Sequence, residues 1–283
     1  MDTSTLKSAR VALTLPNFLI VGASRCGTTW MAKNLRLHQE IFMPSIKELH
    51  FFDKDFGKGW EYYASFFPKE KCWHCKAIGE ATPAYLYRPE VPKLIRSGIP
   101  DVKIIVSLRN PIDRAYSHYW NLVAAAPEGH INRKLTFEEK LEFTPRLIDE
   151  GFYDERLSNY YQFFPKENIL VVLFEEIIED PVRYFREICK FLGIDTKFMP
   201  PLGSVRINSA SSKLGRSKIL DFSYKAFYKL IRIPALSKRI DSMNAKQLPK
   251  MNPTTRENLR HKYAPRVANL ERLLNRDLSI WNQ

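Results

Sequence analysis

Three short stretches of this chain carry side chains whose types and spacing could hold an anion and move a proton. The first is Gly22-Ala23-Ser24-Arg25-Cys26-Gly27-Thr28-Thr29, a glycine-framed turn between an apolar run and a helical pattern. Such a turn offers backbone N–H groups and the positive end of a helix dipole to a phosphate or sulfate. Thr28 stands where a kinase or ATPase loop carries lysine, so the point charge for a β,γ-phosphate is missing. Arg25 supplies a cation within the loop instead, which favours a nucleotide with a single 5′-phosphate group over a triphosphate. The second stretch is Lys47-Glu48-Leu49-His50-Phe51-Phe52-Asp53. Read as an extended segment, it points Glu48 and His50 the same way, and either could take a proton from an acceptor near neutral pH. The third is Ser107-Leu108-Arg109-Asn110-Pro111, with Ser117 eight residues after Arg109. A guanidinium at a strand end and a hydroxyl on the next helix can grip one phosphate from two directions. Each stretch alone has a plainer reading: an unliganded glycine turn, a surface Glu-x-His pair, an arginine capping a sheet edge.

The elements around these stretches decide whether they can act together. Residues 17–21, 103–108 and 168–174 are continuous apolar runs, as in strands buried on both faces. Helices are expected over 28–38, from Pro111 through Trp120, over 137–163 with a break near Gly151, and over 181–192 up to Gly193. Pro111 suits a first helical turn, which needs no amide donor there. Buried strands alternating with helices predict an α/β fold, a P-loop-like parallel sheet flanked by helices on both faces. In such sheets ligands bind at the carboxyl ends of strands, where the first and third stretches fall. No linker divides the chain, so one domain over 1–283 is expected: an α/β core at 17–202 and a basic helical extension at 203–283 closing over the ligands.

Composition narrows the partners. With 45% hydrophobic and 27% charged residues the chain is of ordinary globular type, which excludes a disordered one. The net charge of +13 is uneven: residues 203–276 hold 17 Lys/Arg against 4 Asp/Glu, so the rest balances at 27 against 27. That field attracts a phosphorylated nucleotide, nucleic acid or an anionic surface. A nucleic-acid module would not need a phosphate turn and an arginine–serine pair on buried strands, so no nucleic-acid partner is expected. No run approaches the roughly 20 apolar residues that span a bilayer, and no targeting segment is read, so the chain is expected in the cytoplasm. The aromatic, basic stretch 219–233 reads as core packing or a substrate lid rather than a membrane-surface helix. Cys72-Trp73-His74-Cys75 has no second cysteine pair and reads as a loop.

The order of these motifs resembles the PAPS-dependent sulfotransferases, which use 3′-phosphoadenosine 5′-phosphosulfate. The likeness takes in Gly22–Trp30, Glu48–Asp53, Gly79-Glu80-Ala81-Thr82-Pro83-Ala84-Tyr85, Leu108–Ser117, Gly151–Tyr153, Phe164-Pro165 and Glu175–Gly193, covering roughly residues 17–220. It implies that Arg25, Cys26, Gly27, Thr28 and Thr29 bind the 5′-phosphosulfate while Arg109 and Ser117 hold the 3′-phosphate. It implies further that Glu48 or His50 is the base, and that Arg216 and Lys218 belong to a late nucleotide loop. The Glu-x-His-Phe-Phe form is similar to glycan enzymes, whereas Gly27-Thr28-Thr29-Trp30 looks like small-molecule enzymes. Arg25 stands where the family usually has lysine, and Ala81 where glycan-type enzymes have one. The expected reaction is in-line sulfuryl transfer from PAPS, without a metal, to a hydroxyl or amine of a small molecule. Arg25 would stabilise the charge that develops. A glycan acceptor is the alternative and a P-loop kinase the remoter one; the oligomeric state is not specified.

Overall fold

The computed structural model describes residues 13–127, 129–201 and 249–282. Three strands lie where the apolar runs predict them: β1 (Phe18–Gly22), β4 (Lys103–Leu108) and β5 (Ile169–Leu173). Two more, β2 (Ile41–Phe42) and β3 (Ala77–Ala81), complete a five-stranded sheet in the order β2-β3-β1-β4-β5. Every adjacent pair is parallel. The sequence pattern did not reveal these two. β2 has only two residues, and β3 reads Ala-Ile-Gly-Glu-Ala, with a glycine and a charge inside it. The glycine has a packing reason: a Cβ at Gly79 would meet the Phe18 ring at 2.4 Å.

Strand alternation sorts the core into two layers, one on each face of the sheet. Leu19, Val21, Ile104 and Val106 join one apolar cluster; Phe18, Ile20, Ile105 and Val172 join the other. Helix Thr28–Leu35 contributes Trp30 and Met31 to the second cluster, and helix Pro181–Leu192 contributes Phe185 and Ile188. Asp180 caps that helix by accepting from the Arg183 amide, Pro181 takes its first position, and Gly193 closes it. Residues 13–110, 152–201 and 265–282 form one compact unit, which contains the whole sheet. No helix of the described residues is long and apolar enough to cross a membrane.

Residues 111–127, 129–151 and 249–264 form a second unit. It includes helices Pro111–Ala125, Phe137–Phe143 and Arg146–Asp149 and the first turns of Pro253–Leu274. Thr136 and Glu139 make a reciprocal capping box on the second of these. At the centre of the unit Arg114 is wholly buried and pairs at 3.0 Å with Glu150, itself 2% exposed. His118 Nδ1 lies 3.2 Å from the same carboxylate, and Arg146 bonds its other oxygen. Burial pushes the Glu150 carboxyl up. The His118 hydrogen bond and the charges of Arg114, His118 and Arg146 outweigh it and hold the group below the usual carboxylate range.

A depressed folded-state value means that Glu150 contributes stability above the unfolded value of about 4.3, lost as pH falls through the lower folded value. Glu150→Gln should cost about 3–5 kcal/mol at neutral pH, because it leaves Arg114 buried without its counter-charge. The gap from wild type should narrow as the pH is taken below about 4. Urea unfolding of both proteins across pH 3–7 checks this; a gap that widens with acid refutes it.

Candidate active site

The phosphate-loop candidate springs from the carboxyl end of β1 and is fastened on both sides. The Ala23 amide donates to Ser107 O at 2.7 Å, and Ser107 Oγ donates to Cys26 O at 2.5 Å, tying the loop to β4. From the other side, the Ser24 amide donates to the Tyr87 hydroxyl at 2.8 Å. Gly27 has φ 84°, and a Cβ there would sit 2.9 Å from the Phe174 ring, so the position admits only glycine without a shift. Thr28 begins helix Thr28–Leu35 and Thr29 follows, so their amides belong to the end of the helix where donors lack helical acceptors. Cys26 is different: its amide donates to Ala23 O at 3.3 Å and its thiol is fully buried, 4.0 Å from the Tyr153 hydroxyl.

Two cations follow the ends of the adjacent strands β1 and β4. Burial lowers the Arg25 guanidinium from its ordinary value, and the neighbouring Arg109 lowers it further. The Arg109 guanidinium lies over Phe174, 4.9 Å from the ring centroid, on the same ring that confines Gly27. Its neighbour Asn110 is pinned: the Asn110 amide donates to Glu175 at 2.9 Å and its side chain to Trp281 O at 2.8 Å. Like charges brought together at strand ends make a place that a multiply charged anion relieves. Ser117 lies on helix Pro111–Ala125 in the second unit and is partly buried. Arg216 and Lys218 lie outside the described residues.

The base candidates do not sit on an extended segment, and the expected period-2 alternation is not what brings them together. Glu48 has φ 67° and His50 φ 56°, both left-handed, followed by a π-helical turn at Phe51–Asp55. Even so, His50 Nε2 lies 3.8 Å from Glu48 Oε2, and His50 Nδ1 lies 2.9 Å from Asp53 Oδ2. The Asp53 side chain is 1% exposed and that of Glu48 46%, so a buried carboxylate orients the imidazole and an accessible one stands beyond it. Lys47 Nζ is 2.5 Å from Glu48 Oε1. Among the described residues, four non-glycine positions have positive φ, and Arg25, Glu48 and His50 are three of them. Such backbone costs about 1–3 kcal/mol per residue and gathers where function over-determines it.

Sequence reasoning missed two carboxylates. Asp53 stood in the quoted motif without a role, though three residues from His50 is the reach of one helical turn. Glu80, 2% exposed, sits inside β3, where a charge in a central strand was the available signal. Cys72 ends helix Lys69–Cys72 and is buried; burial pushes its thiol up to about 11. Cys72 and Cys75 are both free, and among the described residues no group of three or more His, Cys, Asp or Glu is placed to hold a metal.

Comparison with known proteins accounts for this arrangement. Residues 15–215 match the sulfotransferase domain family. The chain is 30% identical over 218 residues to heparan sulfate glucosamine 3-O-sulfotransferase 6 of Homo sapiens, covering 72% of this chain and 63% of that protein. Against the human bifunctional heparan sulfate N-deacetylase/N-sulfotransferase 3 it is 26% identical over 280 residues, 93% of this chain and 30% of the relative. The chain thus spans less than two thirds of these relatives' length. Among solved structures, a sulfotransferase from Alicyclobacillus acidocaldarius superimposes with a TM-score of 0.72 at 30% identity, over 96% of this chain and 100% of that one. A parallel sheet of the same kind, the matched domain and these relatives agree: the chain belongs to the sulfotransferase family, the PAPS-dependent enzymes that its motifs resemble.

Proposed function

We propose that the protein transfers the sulfuryl group of PAPS to a hydroxyl of a carbohydrate acceptor by in-line displacement, releasing adenosine 3′,5′-bisphosphate. The observation that carries the donor half is that Arg25 and Arg109 follow the carboxyl ends of two adjacent strands, β1 and β4, with Arg109 over the Phe174 ring that also confines Gly27. The donor is a nucleotide with anionic groups at both its 3′ and 5′ positions, and two guanidiniums at adjacent strand ends suit it. Arg25 and the loop amides stabilise charge on the leaving phosphate and the sulfuryl oxygens. Arg109 and Ser117 take the 3′-phosphate; Arg216 and Lys218, outside the described residues, are assigned to nucleotide binding by the sequence resemblance alone.

For the acceptor, the named relatives act on heparan sulfate, and Glu48-Leu49-His50-Phe51-Phe52-Asp53 has the glycan-enzyme form. Glu48 takes the proton of a weakly acidic sugar hydroxyl as the oxygen attacks sulfur. His50, held through Nδ1 by Asp53, steadies Glu48 and shares the proton. A small-molecule acceptor is the second reading, favoured by Ala81, which lacks the cation of the glycan enzymes, and by Gly27-Thr28-Thr29-Trp30. A donor-dependent product screen by mass spectrometry, over desulfated and partly sulfated oligosaccharides, alcohols, phenols and amines, separates the two. Sulfation of phenols or amines alone removes the carbohydrate reading.

The bisphosphate should bind much more tightly than adenosine 5′-monophosphate in calorimetry. Arg109→Ala should erase most of that preference, since hydrogen bonds to charged groups are worth about 1.5–3 kcal/mol each. Equal affinities in the wild-type protein would sink the donor assignment. Turnover should survive EDTA, because no β,γ-bridging cation is called for; loss on chelation and recovery with magnesium would favour the kinase alternative. In single-turnover experiments Glu48→Gln should slow transfer by about 10²–10⁴-fold with little change in bisphosphate affinity, and His50→Asn by less. If both variants keep wild-type rates, the base lies elsewhere.

A further inference from the structure

We propose that Glu80 is a positioning residue that sets the proton direction of two hydroxyls, and through them the left-handed backbone that presents Glu48 and His50; this rests on the reading of that pair as the base. Glu80 is buried in β3, and three hydroxyls converge on its carboxylate. Tyr63 donates to Oε1 at 3.0 Å, Tyr85 to Oε1 at 2.8 Å, and Thr82 to Oε2 at 2.6 Å. Two of the three do a second task. The Thr82 oxygen accepts from the His50 amide at 3.5 Å, and the Tyr85 oxygen accepts from the Phe52 amide at 3.4 Å. The Glu48 amide donates to Ala81 O at 3.0 Å. Alternate amides at 48, 50 and 52 thus hang from the end of β3, two of them through side-chain oxygens.

A hydroxyl has one proton and two lone pairs. Because Thr82 and Tyr85 spend their protons on Glu80, their lone pairs are what face the amides of His50 and Phe52. That direction is long-range information: without a buried acceptor behind them, both hydroxyls could turn and present protons to N–H groups. Tyr63 lacks this second contact. Its ring stacks on Phe51 at 4.2 Å, but among the described residues its hydroxyl bonds Glu80 alone. Burial raises the Glu80 carboxyl, so converging donors are needed to keep it an acceptor. A glutamine at 80 presents N–H where one hydroxyl now donates, which strands a buried hydroxyl proton beside the amide it should accept from.

The matched pair Tyr85→Phe and Tyr63→Phe tests this, because each deletes one hydrogen bond to Glu80 and only the first also releases the Phe52 amide. Hydrogen exchange of the peptide spanning 48–55, read by mass spectrometry on the full chain, needs no acceptor. Exchange should accelerate at least about tenfold in Tyr85→Phe and Glu80→Gln and stay near wild type in Tyr63→Phe. Transfer measured with PAPS should follow: kcat falls on the order of 10–100-fold in the first two, with bisphosphate affinity kept, and changes little in Tyr63→Phe. Thr82→Ser should retain wild-type exchange at 48–55 and Thr82→Val lose it. Equal effects of Tyr63→Phe and Tyr85→Phe, or unchanged exchange in Glu80→Gln, would overturn the positioning role. Accelerated exchange with unaltered kcat would leave the backbone role intact and remove Glu48 and His50 as the base.

Discussion

Hydrogen bonds at the carboxyl end of β1 determine where both halves of the chemistry stand. On one side the Thr82 amide donates to Ile20 O at 3.1 Å, fixing the end of β3 and with it the segment that carries Glu48 and His50. On the other, the Ala23 amide reaches Ser107 O at 2.7 Å and fixes the phosphate loop against β4, whose next residues lead to Arg109. β1 can hold this position because its residues 18–21 are wholly buried and Phe18, Leu19 and Ile20 are paired on both edges. A parallel strand buried on both faces has no cheap way to shift register, since one residue of slip would exchange its two apolar layers. Base and anion site therefore share one rigid reference.

That rigidity supports backbone that isolated peptides would avoid. Arg25, Glu48 and His50 are left-handed with β-carbons in place, a conformation better suited to glycine. In each case neighbours hold the backbone: the Ser24 amide bonded to Tyr87 next to Arg25, the Glu48 amide bonded to Ala81, and the His50 carbonyl taking the Lys54 and Asp55 amides. The electrostatic strain is of the same kind. Arg25 is partly buried and feels the charge of Arg109, so its own charge costs more than it would in water. An anion that neutralises both guanidiniums recovers that cost on binding, which is how a preorganised site turns fold stability into ligand affinity.

What the sequence made legible follows from this geometry. Long apolar strands and the helix Pro181–Leu192 were readable because their signal is local: period, length, cap and breaker lie within a few residues. The strand–turn–helix frame of Gly22–Thr29 was readable because its glycines fall between an apolar run and a helical pattern in a fixed order. β2 and β3 were not, since a two-residue strand has no period and β3 carries Glu80 for a reason that lies across the fold. The base segment was half legible. Its residue types pointed to a Glu–His pair that the structure does bring together, but the assumption of extended backbone was wrong, because left-handed residues at 48 and 50 are held by acceptors some thirty residues on, at Ala81 and Thr82.

The donor and acceptor halves also differ in how much any one chain must reveal. A nucleotide with fixed charges at fixed separation constrains where cations must stand, and position 25 keeps a cation although Arg25 replaces the lysine usual in the family. Acceptors vary, and the residues that meet them are free to vary too: Ala81 stands where glycan enzymes carry a lysine, yet Glu48 and His50 keep the glycan-enzyme form. If the acceptor is an anionic carbohydrate, its attraction must come from elsewhere, and the charge balance says where. Outside residues 203–276 the chain has 27 positive and 27 negative side chains, so the net field of +13 originates in that quarter. A field of this kind acts over about a Debye length, roughly 8–10 Å at physiological salt, and speeds encounter more than it selects a hydroxyl. Under the proposed reading, choice of the hydroxyl then falls to short-range contacts around Glu48, whose side chain is 46% exposed.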